Sequence, residues 1–112
     1  MARKRMVIEF GMGTDIRGAD PTKAACRALR DALWHNSLSI ATALGQPPEA
    51  MMIDVHIGVP HPETVDKAQV LATLPYGTGT VTVVEGGLEV HNDAGTDSTL
   101  VANACAVVSL DI

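Results

Sequence analysis

The sequence has few aromatic residues and no long apolar segment. Phe10, Trp34 and Tyr76 are the three aromatic residues among 112, so the core must be built from smaller side chains, without the large area that rings bury. No apolar run approaches the roughly 20 residues of a membrane-spanning helix. The basic start at residues 3–5 leads into no apolar signal segment. We therefore expect a cytoplasmic protein that has no membrane partner.

Cysteine is also scarce, and no pattern of metal ligands is present. Cys26 and Cys105 lie in separate apolar segments and form no pair with metal-ligand spacing. The histidines form neither an HxH nor an HExxH pattern, so a zinc site has no support. We expect two buried free thiols of a reducing compartment, no metal and no cofactor.

The net charge of −5 is unevenly distributed. Residues 1–30 contain seven of the eight basic residues and three acidic ones, for a net charge of +4. Residues 31–112 contain ten acidic residues and one basic residue, Lys67, for a net charge of −9. An acidic total argues against nucleic acid as a partner.

Periodicity predicts the order β-α-β-α-β-β-β. The clearest signal is the helix that Asp20 and Pro21 begin as N-cap and first residue, and that continues to about His35 with alanines at helical spacing. A break at Asn36-Ser37 and a short helix ending at Gly45 follow. The remaining predictions are a strand at 5–10, a glycine-rich loop at 11–20, a strand at 51–59, a helix at 63–74, and strands at 79–84, 87–91 and 99–112.

This order predicts an α+β fold in a single domain of residues 1–112, a two-layer sandwich with helices packed on one face of a mixed sheet. The last predicted strand carries apolar or small residues on both sides, which is typical of a strand buried on both faces. Helices can cover only one of these faces. We expect association between copies to cover the other, although loops of the same chain are an alternative.

Two histidines are candidate functional residues. Asp54 and His56 are two apart on one predicted strand and therefore project from the same sheet face, with His61 following between two prolines. A carboxylate beside an imidazole suits proton transfer or ligand binding. The alternative is an exposed strand face with ordinary polar residues.

Further candidates lie in the turns. Glu85 is a candidate base or anchor, and Gly86 and Gly87 expose backbone N–H groups beside it, although a hairpin turn with a solvated glutamate explains the same residues. Arg17 and Lys23 are candidates for binding an anionic or carbonyl group. The segment GMGTDIRG matches neither glycine-rich phosphate-binding pattern.

Several segments carry a family resemblance: GTDIRGADPTKAACRALRDAL, VHIGVPHPETVD, LPYG, VVEGGLEV and GTDSTLVANACAVV. Together they resemble a family of short uncharacterised bacterial proteins over nearly the whole chain. More distantly, VHIGVPHP is similar to a strand and turn in the repeated domains of cyanuric acid hydrolase and barbiturase. That resemblance implies a single Toblerone or YjgF-like repeat that assembles as a homotrimer. Those enzymes use a serine activated by a lysine, whereas Glu85 and Gly58 stand at the matching positions here.

The leading hypothesis is a homotrimer that binds a small polar molecule, resembling a cyclic amide, near its axis or between subunits. His56 and Glu85 are the candidate catalytic residues, and the candidate ligand-binding residues are Arg17, Lys23, Asp54, His61, Gly86 and Gly87. A second hypothesis is a ring-opening amidohydrolase-like enzyme or isomerase with His56 as base. A third is a structural or interaction module without a ligand.

Overall fold

The computed structural model describes residues 1–35 and 39–112, which form five strands and three helices. The strands are β1 (Arg3–Asp15), β2 (Met52–Gly58), β3 (Thr78–Val84), β4 (Leu88–His91) and β5 (Ser98–Asp111), and the helices are α1 (Pro21–His35), α2 (Ile40–Ala43) and α3 (Lys67–Leu71). Short 3-10 turns at Pro48–Ala50 and Pro62–Thr64 precede β2 and α3. The element order agrees with the predicted succession.

Helix α1 begins where the sequence predicts. The Asp20 carboxylate accepts hydrogen bonds from the backbone N–H groups of Thr22, at 3.0 Å, and Lys23, at 3.3 Å, as an N-cap does. Ala24, Ala28 and Ala32 lie on one side of the helix and are fully buried. The side of α1 that carries these alanine side chains therefore packs against the sheet.

The predicted glycine-rich loop at 11–20 is wrong for residues 11–15, because β1 continues through Gly11 and Gly13 to Asp15, and it is confirmed for residues 16–20. A β-carbon at Gly11 would lie 2.2 Å from the Ala32 nitrogen, and one at Gly13 would lie 2.3 Å from the Ala28 nitrogen. The glycines thus let the backbone of α1 approach the backbone of β1 directly. The glycines of this segment therefore serve the packing of a helix on a strand.

The five strands form one open mixed sheet with the order β1-β5-β2-β3, and β4 pairs with β5. Strand β5 is antiparallel to β1, β2 and β4, whereas β2 and β3 are parallel and connected through α3. Its central position explains why β5 carries small and apolar residues on both sides.

The core lies between the sheet and the helices. The predicted alternation of β2 is confirmed, since Ile53, Val55 and Ile57 are fully buried while His56 is exposed. Strand β5 contributes alternate residues from Leu100 to Val108 to the same core. The chain thus has the predicted mixed α+β fold, with an open five-stranded sheet and few helices.

The side of the sheet away from α1 is named here the open sheet face. Strand register places Phe10, Cys105, His56 and Thr82 in one row across it, from β1 to β3. Its exposed large apolar side chains are Ile8, Phe10, Met12, Val84, Leu88 and Val90. Within the described residues, α1 contacts β1, β5 and β2 from the opposite side.

Two helical predictions need correction or fall outside the described residues. The predicted helix at 63–74 is shortened to α3, because Val65 is extended and the Asp66 side chain accepts a hydrogen bond from Gln69 N, starting the helix only at Lys67. The predicted break at Asn36-Ser37 lies outside the described residues. The predicted short helix is confirmed as α2, but it ends at Ala43, two residues before the predicted Gly45.

Replacing Gly13 by alanine should destabilise the fold strongly. The new β-carbon would meet the Ala28 nitrogen and the Ala24 oxygen, which are backbone atoms that move only with the helix. We expect the free energy of unfolding to fall by about 2–3 kcal/mol in urea denaturation. Gly58→Ala is the matched control, because its nearest contact would be an ordinary 3.6 Å. Equal losses in both variants would contradict the close packing of β1 and α1.

Candidate functional site

Asp54 and His56 lie together on the open sheet face, as their spacing on β2 predicts. The Asp54 carboxylate accepts hydrogen bonds from Thr80 Oγ1 and from Arg3 Nη2, both at 2.8 Å. The Thr80 hydrogen bond, followed by smaller effects of Arg3 and His56, lowers the pKa of Asp54 below its ordinary value. Asp54 is therefore an anion held in place by a guanidinium and a hydroxyl.

His56 is exposed on this face, in register between Cys105 of β5 and Thr82 of β3. Phe10, which is 71% exposed, lies in the same row beyond Cys105. An imidazole, a carboxylate and a guanidinium thus border an exposed apolar surface. These groups offer hydrogen-bond donors and acceptors to a ligand that has apolar faces and a polar edge.

His61 belongs to a second polar cluster, which forms around β4. Its Nε2 lies 2.8 Å from Glu89 Oε1, and the other oxygen of Glu89 accepts a 2.8 Å hydrogen bond from Ser98 Oγ. The hydrogen bond to Glu89 and its charge raise the pKa of His61, and Glu63 and Glu85 add to this effect. The hydrogen bond from Ser98, followed by that from His61, lowers the pKa of Glu89.

The order of groups in this cluster differs from that of a nucleophilic triad. In a serine triad the imidazole contacts the hydroxyl and removes its proton. Here the carboxylate of Glu89 lies between His61 and Ser98, so the Ser98 hydroxyl donates to the carboxylate. The arrangement fixes the β4 segment to the turn at His61, and among the described residues no histidine accepts a hydrogen bond from the Ser98 hydroxyl.

Backbone strain occurs beside the same cluster. His61 and Ala19 have positive φ angles of 56° and 46°, a conformation that side chains with a β-carbon seldom adopt. Both residues line a cavity of about 390 Å³ together with Gly18, Asp20, Pro21 and Thr64. Strained residues persist where surrounding structure holds them, often at functional sites. His61 is thus placed at a cavity rim, on the helix side of the sheet.

Glu85 and the glycines after it form the turn between β3 and β4. A β-carbon at Gly86 would lie 3.0 Å from the Gly58 α-carbon, and Gly87 has a φ of 62° and packs against Val101 O. Gly86 and Gly87 thus serve the close packing of this turn. Glu85 is exposed, and its charge acts on His61.

Lys23 lies on α1, away from the open sheet face, whereas Arg17 lies beside the β4 edge of that face. Arg17 lies in the connection from β1 to α1 and lines a cavity of about 310 Å³ with residues of β4 and β5. Lys23 lines a cavity of about 340 Å³ between α1 and α3. The candidates therefore fall into separate groups: Asp54 with His56, Glu85 with His61, and Arg17 and Lys23 each alone.

Four polar partners of the candidate residues were not predicted from the sequence: Arg3, Thr80, Glu89 and Ser98. Thr80 lies directly opposite Asp54 in the β2–β3 register, so its role depends on a parallel pairing that no local pattern specifies. Glu89 follows His61 by 28 residues. The alternation of β4, with Leu88 and Val90 apolar, was the available signal that Glu89 points to the other side.

The His61–Glu89 contact predicts an elevated titration midpoint for His61. By NMR, we expect a midpoint above the ordinary 6.5, falling clearly in Glu89→Gln and only slightly in Glu63→Gln, which acts through charge alone. Because the folded-state pKa is raised, the pair's stabilisation is present below the unfolded-state pKa of His61 and is lost as pH rises through the folded-state value. It is also lost in acid, as Glu89 is protonated. Equal midpoints in wild type and Glu89→Gln would refute the contact.

Comparison with solved structures gives a close structural relative. The crystal structure of an FtsZ-like protein of unknown function from Nostoc punctiforme PCC 73102 matches with a TM-score of 0.88 and 42% sequence identity, covering 100% of this chain and 99% of that one. None of the curated proteins compared with the chain matches it. The likeness to cyanuric acid hydrolase and barbiturase therefore stays a prediction.

Two features are absent from the described residues: a membrane-spanning helix and a cluster of metal ligands. None of the helices in residues 1–35 and 39–112 has the length and apolar character of a membrane span. The same residues contain no group of three or more His, Cys, Asp or Glu side chains that could hold a metal ion.

The predicted membership of an uncharacterised family is confirmed by a family model that matches residues 5–108. This chain belongs to the Lin0512 family of conserved hypothetical proteins.

Proposed function

We propose that this protein is a homotrimer of Toblerone-like repeats that binds a small polar molecule of the cyclic amide class between subunits. The observation that carries the proposal is the open sheet face, which combines exposed apolar side chains with His56 and the Arg3–Asp54 ion pair. The ligand would lie where this face meets a neighbouring copy.

The apolar part of the face supports association. Phe10, Leu88 and Val90 are each more than 60% exposed, and strand register places them on one side of the sheet. Monomeric proteins in water seldom leave large contiguous apolar patches uncovered, and such patches mark interaction sites. A second surface that covers this face would remove these side chains from water.

Charge distribution favours another copy of the chain as the covering surface. The first 30 residues have a net charge of +4 and the remainder a net charge of −9, so a basic segment of one copy can meet an acidic surface of the next. Contacts of this head-to-tail kind join two different patches, and they form a ring where the rotation between copies closes. Three copies are the number that the Toblerone resemblance implies.

The polar groups of the face match the edge of a cyclic amide. Such a molecule is flat, with alternating N–H donors and carbonyl acceptors around its rim. The Asp54 carboxylate can accept from an N–H, the Arg3 guanidinium can donate to a carbonyl, and the ring of Phe10 supplies a flat apolar wall. His56 can serve either role, according to its tautomer.

Binding is favoured over catalysis by the positions of the two candidate catalytic residues. In the described part of the chain no hydrogen bond joins His56 to Glu85, whose charge acts on His61. A ring-opening or isomerase activity would need a different partner for His56.

We also propose a cytoplasmic location, which the free thiols of Cys26 and Cys105 favour.

The assembly can be tested by light scattering after size-exclusion chromatography. We expect a mass of about 35 kDa, three times that of the 11.7 kDa chain. Phe10→Asp should give a monomer, because it places a charge in the proposed contact. Leu44→Asp, an exposed apolar residue outside the sheet, should leave the mass unchanged. A monomeric wild type at micromolar concentration, with folding verified by circular dichroism, would overturn the trimer.

Ligand binding can be tested by thermal shift with ureides, pyrimidines and triazines. A cyclic amide at 100 times its Kd should stabilise the fold by about 2.7 kcal/mol and raise Tm by several degrees. His56→Gln and Asp54→Asn should abolish the shift, whereas His91→Gln, an exposed histidine of β4, should retain it. The binding proposal fails if no compound raises Tm, or if His56→Gln responds as the wild type does.

A further inference from the structure

The outer side of α1 carries a row of basic residues that lie outside the proposed cyclic amide site. Lys23, Arg27 and Arg30 are separated by four and three positions, so their side chains lie on one side of the helix. The buried alanines lie on a different side, against the sheet. We name these three residues the basic row. The basic row lies on the outer surface of the helix layer, on the opposite side of the molecule from the open sheet face.

The basic row borders a cavity between α1 and α3. The cavity has a volume of about 340 Å³ and is lined by Lys23, Cys26, Arg27, Arg30, Gln69 and Ala72. No carboxylate is among these lining residues, although the chain as a whole has a net charge of −5. Three cations around one concave surface create a local positive potential that attracts anions.

Hydrogen bonds hold the two walls of the cavity together. Asp66 N, at the start of α3, donates to Thr22 Oγ1 of α1 at 3.0 Å. Cys26 Sγ lies 3.8 Å from the carbonyl oxygen of Gln69. The walls are therefore linked before any ligand binds, which reduces the entropy lost on binding.

The three cations differ in how firmly they are held. Arg27 Nη1 donates to Thr14 O at 2.7 Å and lies 3.3 Å from Asp15 Oδ1, so its guanidinium is fixed against the end of β1 and partly neutralised there. Within residues 1–35 and 39–112, the side chains of Lys23 and Arg30 make no hydrogen bond or ion pair. One cation is positioned and two are available to a ligand.

We propose that this cavity binds a small anion through a phosphoryl group, as in a phosphate monoester or a diphosphate. The planar fork of Arg30 matches the oxygens of a phosphoryl group, and Lys23 adds a second charged donor. Arg27 adds positive charge at the rim, since its guanidinium is already bound to the end of β1. A single carboxylate would use fewer of these donors. The volume lies within the range of small-molecule sites. This proposal is independent of the cyclic amide site, because the two share no residue.

The probe for the site is inorganic pyrophosphate, titrated into the full chain by isothermal titration calorimetry at low ionic strength. We expect saturable binding and NMR shifts of backbone amides in α1 and α3. The variant Lys23→Gln/Arg30→Gln should weaken binding by at least about tenfold, because it removes two charge-assisted donors. Arg27 is left unchanged, since it also holds β1.

The matched control is Lys4→Gln/Arg5→Gln, which removes the same charge from the exposed start of β1. This control should change the affinity by less than about threefold at the same ionic strength, since these residues lie outside the cavity. Equal weakening in both double variants would show general charge attraction and overturn the site. Absence of saturable binding to the wild type at millimolar pyrophosphate would also overturn it.

Discussion

The structure depends on the direct contact between the backbone of α1 and the glycines of β1. Because Gly11 and Gly13 lack side chains, the buried alanine side of α1 lies against the strand itself. A helix so close needs no large residues to fill the space between the layers. This explains the scarcity of aromatic residues, because Phe10, Trp34 and Tyr76 are all exposed and the core is built without them.

The same contact determines which side chains remain on the open sheet face. Residues alternate across a strand, so glycines that point inward at 11 and 13 require Phe10 and Met12 to point outward. The larger side chains of β1 thus lie on the side that α1 leaves uncovered. An exposed apolar face is a consequence of the alternation that permits close packing, and an interaction between copies is its simplest physical use.

Local chemistry made part of this structure predictable. The Asp20-Pro21 start of α1 and the alternation of β2 each depend on neighbouring residues, and both predictions are confirmed. The glycines of β1 led to the prediction of a loop in place of a strand, because they contact Ala28 and Ala32 of a helix that follows later in the chain. The His61–Glu89 contact joins residues 28 positions apart and depends on how β4 pairs with β5, which periodicity does not specify.

The two proposed binding surfaces face opposite sides of the molecule, yet one packing constraint orients both. Close contact with β1 fixes the rotation of α1 about its axis, because only its alanine side is small enough to lie against the glycines. With the alanines turned inward, Lys23, Arg27 and Arg30 must lie away from the sheet, and Arg27 can reach Thr14 and Asp15 at the end of β1. The glycines of β1, which contact no ligand, therefore determine which charged and apolar side chains of α1 and β1 are exposed to solvent.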